Sequence, residues 1–122
     1  MFTVLNIEEE LKQVKEYWSP RIIGKVNNQY IKVAKLKGSF TWHSHEEDDE
    51  LFYVVKGSMT IEFENTHVKL NEGDFYVVPK GTKHNPIAED ECGIVLIETI
   101  TTKHTGDILT PKTKSVEQQL GK

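Results

Sequence analysis

The stretch Trp42-His43-Ser44-His45-Glu46-Glu47-Asp48-Asp49-Glu50-Leu51-Phe52-Tyr53-Val54-Val55-Lys56-Gly57 decides how this chain is read. Two histidines stand two residues apart, five consecutive acids follow, and an apolar run closes on a glycine. Residues two apart on an extended strand project from one face, so His43 and His45 point the same way. Neutral imidazole is a common metal ligand near neutral pH, and two of them on one face make half a metal site. Among the acids, Glu46, Glu47 and Asp48 read as a solvated turn. Asp49 and Glu50 compete as a third ligand. With Glu50 inward, Phe52 and Val54 follow it in, while Leu51, Tyr53 and Val55 face the other way. Both faces are then apolar, and Glu50 sits at the mouth of the strand. Glu50 is favoured on this parity, with Asp49 in reserve.

Outward from this stretch, the period-two pattern persists. Ile23, then Tyr30 to Leu36 across a turn at Asn27-Asn28, read as strands, and Gly38 breaks the run. The spacing predicts further strands at Phe40 to His45, Leu51 to Val55, Met59 to Glu64, His67 to Leu70, Phe75 to Val78, His84 to Ala88 and Cys92 to Ile100. The turns between them fall at Lys56-Gly57, Asn65-Thr66, Asn71-Glu72-Gly73, Pro79 to Thr82 and Glu89-Asp90. Many short strands with closely spaced turns point to an antiparallel sandwich or barrel. Ahead of them, Asn6 to Trp18 reads as a helix. Asn6 is its N-cap, Glu8, Glu9 and Glu10 fill its first turn, and Leu11, Val14 and Trp18 form one apolar stripe. The expected organisation is a helix packing on the barrel (residues 1–20), the barrel (21–110) and a polar, loosely held tail (111–122), with Ile108-Leu109 as a small anchor.

At 122 residues the chain is expected to be one domain with a real core. A net charge of −4 gives no basic footprint for nucleic acid. No apolar run is long enough to span a bilayer as a helix. The single cysteine, Cys92, cannot form an internal disulfide, which fits a reducing compartment. The first residues lack the basic and apolar regions of a signal peptide, so a cytoplasmic location is expected.

His84 follows the turn Pro79-Lys80-Gly81-Thr82, from which it can converge on His43 and His45 from a facing strand. His67 and His104 have nothing at ligand spacing around them. These residues carry a resemblance. Gly38, His43-x-His45, Glu50 and Gly57 are similar to the first motif of the cupin superfamily, with a Gly38–His43 interval one residue shorter than usual. Gly73, Pro79-x-Gly81 and His84 are similar to its second motif, in which Ala88 stands where asparagine is usual. The resemblance implies an all-β fold, an antiparallel jelly-roll barrel (a double-stranded β-helix) with the short helix appended. It also implies one divalent metal in the lumen, held by His43, His45, Glu50 and His84. Octahedral coordination would leave two open positions. Imidazole suits Fe, Ni, Cu and Zn, and the carboxylate keeps Mn in the set.

Parity gives Ser39, Thr41, Phe52, Val54, Met59, Ile61, Phe63 and either Phe75 or Tyr76 as lumen residues, a mainly apolar pocket. The only arginine, Arg21, lies outside both motifs. Phosphorylated or multiply carboxylated substrates need cationic partners, so a small neutral or enolic molecule is the expected ligand. A metal-dependent dioxygenase is the leading expectation, with Glu50 as ligand and catalytic base. A non-enzymatic binding or sensing module, and a metal-dependent isomerase or lyase, are the alternatives. Leu51, Tyr53, Val55, Val95 and Ile97 supply more apolar surface than one barrel needs, so a homodimer is expected.

Overall fold

The computed structural model describes residues 3–102, 104–106 and 113–121. Seven strands follow one short helix: α1 (Ile7–Lys12), β1 (Arg21–Val26), β2 (Gln29–Ser39), β3 (Glu50–Lys56), β4 (Met59–Glu62), β5 (His67–Leu70), β6 (Phe75–Val78) and β7 (Asn85–Thr99). A four-residue helix, α2 (Val116–Gln119), comes last.

β7 is the spine. Its C-terminal half lies between β2 and β3, in the order β1-β2-β7-β3-β6, and its N-terminal half pairs with β4, which carries β5. Every ladder is antiparallel. The expected turn at Glu89-Asp90 is instead a bulge inside β7. Leu36 faces Cys92 and Gly38 faces Ala88, so residues 89–91 oppose Lys37 alone. A bulge bends its strand, and here the bend carries β7 from the β3 side of the barrel to the β4 side. The expected strand from Phe40 to His45 is a correction too. It is no continuous strand: His43 forms an isolated bridge there, with His84.

Asn6 does cap α1, its side chain accepting from the Glu9 backbone N–H at 3.1 Å. The helix ends far sooner than expected, at Gln13, and the expected single stripe splits in two. Leu11 and Val14 bury against Val33 and Val95 on the outside of the sheet. Trp18, at φ 58, turns the other way and stacks on Phe40 inside.

Inside lie Phe52, Val54, Met59 and Ile61, all inward as expected, with Ala34, Leu36, Ile94 and Leu96. Each such burial stabilises by about 1.5–3 kcal/mol for a large side chain. Tyr76 packs on this core and Phe75 is 63% exposed. Ser39 is exposed, against expectation. Ala88 is buried in the core and faces Gly38, so the small residue is accommodated without a gap in the ladder. Cys92 is also buried, and burial pushes its thiol up to about 11, which keeps it unreactive.

Residues 113–121 of the polar tail carry the second helix. Ser115 and Gln118 form a capping box on α2, and Gln119 is 2% exposed. The expected anchor at Ile108-Leu109 lies outside the described residues. Among the described residues, no helix is long and apolar enough to cross a membrane.

Candidate metal centre

Two segments without long ladders meet across the barrel mouth. The His43 backbone N–H donates to the His84 carbonyl at 3.0 Å, and the His84 N–H returns the bond at 2.9 Å. This fixes both backbones. Their rings are then oriented alike: the Nδ1 of His43 pairs with the Thr41 carbonyl at 2.9 Å, and the Nδ1 of His84 with the Thr82 carbonyl at 2.9 Å. A carbonyl only accepts, so Nδ1 carries the proton and Nε2 presents its lone pair. His45 is tied down by its carbonyl, which accepts from the Gly81 N–H at 2.8 Å. The Pro79 to Thr82 turn thus braces the His-x-His segment as well as placing His84.

The structure separates the two competing acids. Asp49 is exposed and its carboxylate accepts from the Lys80 N–H at 2.9 Å, a turn-capping contact. Glu50 is 4% exposed and turns inward. Its Oε1 lies 3.5 Å from the Nε2 of His45 and 3.5 Å from the Nε2 of His84. Glu46 and Glu47 are exposed, as a solvated turn requires. His67 is exposed on β5.

His43, His45, Glu50 and His84 are all buried, and one ligand atom from each lies within 4.8 Å of the others. The Nε2 of His45, the Nε2 of His84 and Glu50 Oε1 have no hydrogen-bond partner among the described residues. Buried polar atoms are rarely left so, and each costs about 1–3 kcal/mol unless something fills the gap. A divalent ion with bonds of about 2.0–2.2 Å to nitrogen and oxygen would satisfy all three orphans after a small inward adjustment. The donor set therefore fits a metal. Charge agrees with this. Burial, reinforced by His84, lowers the His43 pKa to about 4, so its ring is neutral at neutral pH. Burial pushes Glu50 up, but the Glu98, His45 and His84 contacts outweigh it and hold the carboxyl well below its usual range.

Four further polar residues surround the cluster that the sequence did not bring forward: Lys32, Glu98, His104 and Gln119. Lys32 is 1% exposed. Its Nζ lies 2.5 Å from Glu98 Oε1 and also donates to Gln119 Oε1. Glu98 faces Glu50 across the β3–β7 ladder. Burial first, then the Glu50 charge, raises its carboxyl well above the usual range. The lumen is therefore not purely apolar with hydroxyls, which removes the sequence argument from a lack of cations. His104 packs on Phe40 at 5.1 Å between centroids, and its Nδ1 accepts from the Lys114 N–H at 2.8 Å. It lies outside the four-residue cluster. A cavity of about 30 Å³ lies beside His43 and Glu50, walled by Trp18, Phe40, Phe52, Leu96 and His104 among others. It holds about one water.

Residues 30–99 match the family model described as Cupin domain, and the chain belongs to that family. A cupin-2 domain containing protein from Shewanella frigidimarina superposes with a TM-score of 0.77 at 38% identity, covering 79% of this chain and 94% of that one. Protein YdbB of Bacillus subtilis, whose function is uncharacterised, is 33% identical over 85 residues, 69% of this chain and 75% of its own. The 3-hydroxyanthranilate 3,4-dioxygenase of Xenopus laevis is 27% identical over 93 residues, 70% of this chain but 33% of that enzyme.

Proposed function

We propose that His43, His45, Glu50 and His84 hold one divalent transition metal, and that the chain is a dioxygenase-type oxidoreductase acting on a small enolic molecule. The observation that carries this reading is the set of inward, unpartnered ligand atoms buried beside an apolar cavity. Similarity to a 3-hydroxyanthranilate 3,4-dioxygenase, over a third of that enzyme's length, supports it. When bound, the metal supplies Lewis acidity and a template for aligning substrate and oxygen.

The chain's own residues do the rest. Thr41 and Thr82 keep the two ring protons on Nδ1. Trp18, Phe40 and Phe52 give one side of the cluster an apolar wall. Glu50 stands where it can hold charge toward the ion, and the carboxyl of Glu98 behind it orients Glu50 by sharing a proton. Oxygen uptake by protein loaded in turn with Fe, Ni, Mn, Cu or Zn, offered enols, catechols and thiols, tests the reading. Consumption that disappears in Glu50→Ala supports it, and no consumption by any loaded form rejects it. The small size of the cavity, about 30 Å³, favours a second reading, a binding or sensing module without turnover.

A homodimer also forms part of this proposal, through a smaller face than the sequence indicated. Val95, Ile97 and Val55 are already packed in the α1 cluster. Tyr53, Phe75 and Val77 remain exposed side by side on β3 and β6, with Tyr53 facing Phe75.

A further inference from the structure

We infer that residues 113–121 are a displaceable plug, and that Gln119 occupies a lumen subsite on Lys32 built for the carboxylate of a small apolar acid. The inference does not depend on the metal reading. Lys32 shares its strand face with Ala34 and Leu36, which lie in the lumen core, so its ammonium is delivered inside the barrel. A buried ammonium needs acceptors for its three donors. Glu98 supplies one and the Gln119 amide oxygen another. A neutral amide is the weaker kind of partner. The ammonium–amide bond has one charged partner; a carboxylate in the same place adds the attraction of a second, opposite charge, which is large in a low-dielectric interior, so a carboxylate reaching Lys32 displaces Gln119.

The plug is also lightly held. α2 has four residues, far below the length at which a helix stands alone in water. Leu120 is 41% exposed, so it anchors little. The contacts that hold the segment include polar ones: Lys114 N–H to His104, Thr113 to Thr105 at 2.7 Å, and Lys114 to the exposed Glu16 at 3.7 Å. Surface pairs of the last kind contribute about 0–1 kcal/mol. The cavity beside the cluster is too small for an organic molecule. Something must move for the lumen to fill, and of residues 113–121 only Gln119 is buried.

Benzoate is a suitable probe, with benzyl alcohol as its neutral counterpart. Hydrogen exchange across 113–121 is measured on the full chain, with and without Zn²⁺, at rising concentrations of each. Benzoate is expected to speed exchange there at least fivefold, and benzyl alcohol to leave it unchanged. Gln119→Ala, which removes the competitor, is expected to bind benzoate about tenfold more tightly, and Lys32→Met to lose the response. Unchanged or slowed exchange with benzoate overturns the proposal, as does equal benzoate affinity in Gln119→Ala and wild type. Should Lys32→Met fail to fold, the wild-type and Gln119→Ala arms still decide. A benzoate response that is the same without Zn²⁺ stands even if the metal reading falls.

Discussion

Glu50 and Glu98 face each other across the β3–β7 ladder, both almost wholly buried, with Lys32 behind the second. Two carboxyls so placed hold one proton between them. Glu98 keeps it and Glu50 keeps the charge. Glu98→Gln preserves both jobs, since its amide donates to Glu50 and accepts from Lys32. It is expected to leave metal affinity within a few fold of wild type. Glu98→Ala strips the support from Glu50 and leaves Lys32 without its neighbour. It is expected to weaken metal binding about 10–100-fold, the usual cost of losing an outer-shell partner, and to destabilise the fold by about 3–5 kcal/mol. Metal titration and urea unfolding of the two variants check this.

Gly106 is tied to the site from the far end of the chain. It sits at φ 63, and a Cβ there would collide with the backbone carbonyl of Ser44, between His43 and His45. Gly106→Ala is therefore expected to push the His-x-His segment aside and weaken metal binding at least tenfold, although no ligand has changed. Ser44→Ala, which keeps that backbone in place, is expected to bind as wild type does. Parallel metal titrations distinguish them.

His104 gives the fold a pH dependence. Burial lowers its pKa to about 4, with Lys32 adding to the effect and Glu50 opposing it, while His43 and Lys114 also disfavour the cation. The unfolded histidine titrates near 6.5. Between about 6.5 and 4 the unfolded chain takes up this proton first, so stability falls as pH falls and levels off below 4. The raised Glu98 acts with the opposite sign above its unfolded value, so the difference between wild type and His104→Gln isolates the term. The variant is expected to lose up to about 1.4 kcal/mol per pH unit of the slope in this window. Urea midpoints from pH 7.5 to 4 in the presence of EDTA read it out.

The exposed pair Tyr53 and Phe75 tests the assembly. A homodimer through this face predicts twice the chain mass at micromolar concentration, falling to one chain in Phe75→Lys. Light scattering decides, and a wild-type monomer contradicts it.

The four clustered residues were legible because their spacing is unusual: two histidines on one face, an acid at the mouth of the next strand, and a third histidine after a tight turn. Parity also chose Glu50 over Asp49, and the structure turns Glu50 inward while Asp49 caps Lys80. The same parity failed at Lys32. A lysine within an alternating strand reads as outward, but α1 covers the outer face through Leu11 and Val14. Both faces of β2 are then apolar, at Ile31 and Val33 on one side and Ala34 and Leu36 on the other, and that pattern was the available sign that Lys32 is enclosed. Trp18 was misplaced because helical spacing continued past Gln13, where the backbone leaves the helix and reaches a left-handed turn. Gln119 carried no signal at all. A polar tail reads as solvated unless its partner, a buried ammonium many residues earlier, is already known.

The metal content of the full chain, compared between wild type and His84→Ala, tests the central claim most directly. His84 lies fully buried, its Nε2 unpartnered and 3.5 Å from Glu50 Oε1. The account predicts about one equivalent of divalent metal in the wild type and a loss of at least tenfold in affinity in the variant, with the fold retained by circular dichroism. Equal metal content in a folded His84→Ala would contradict it.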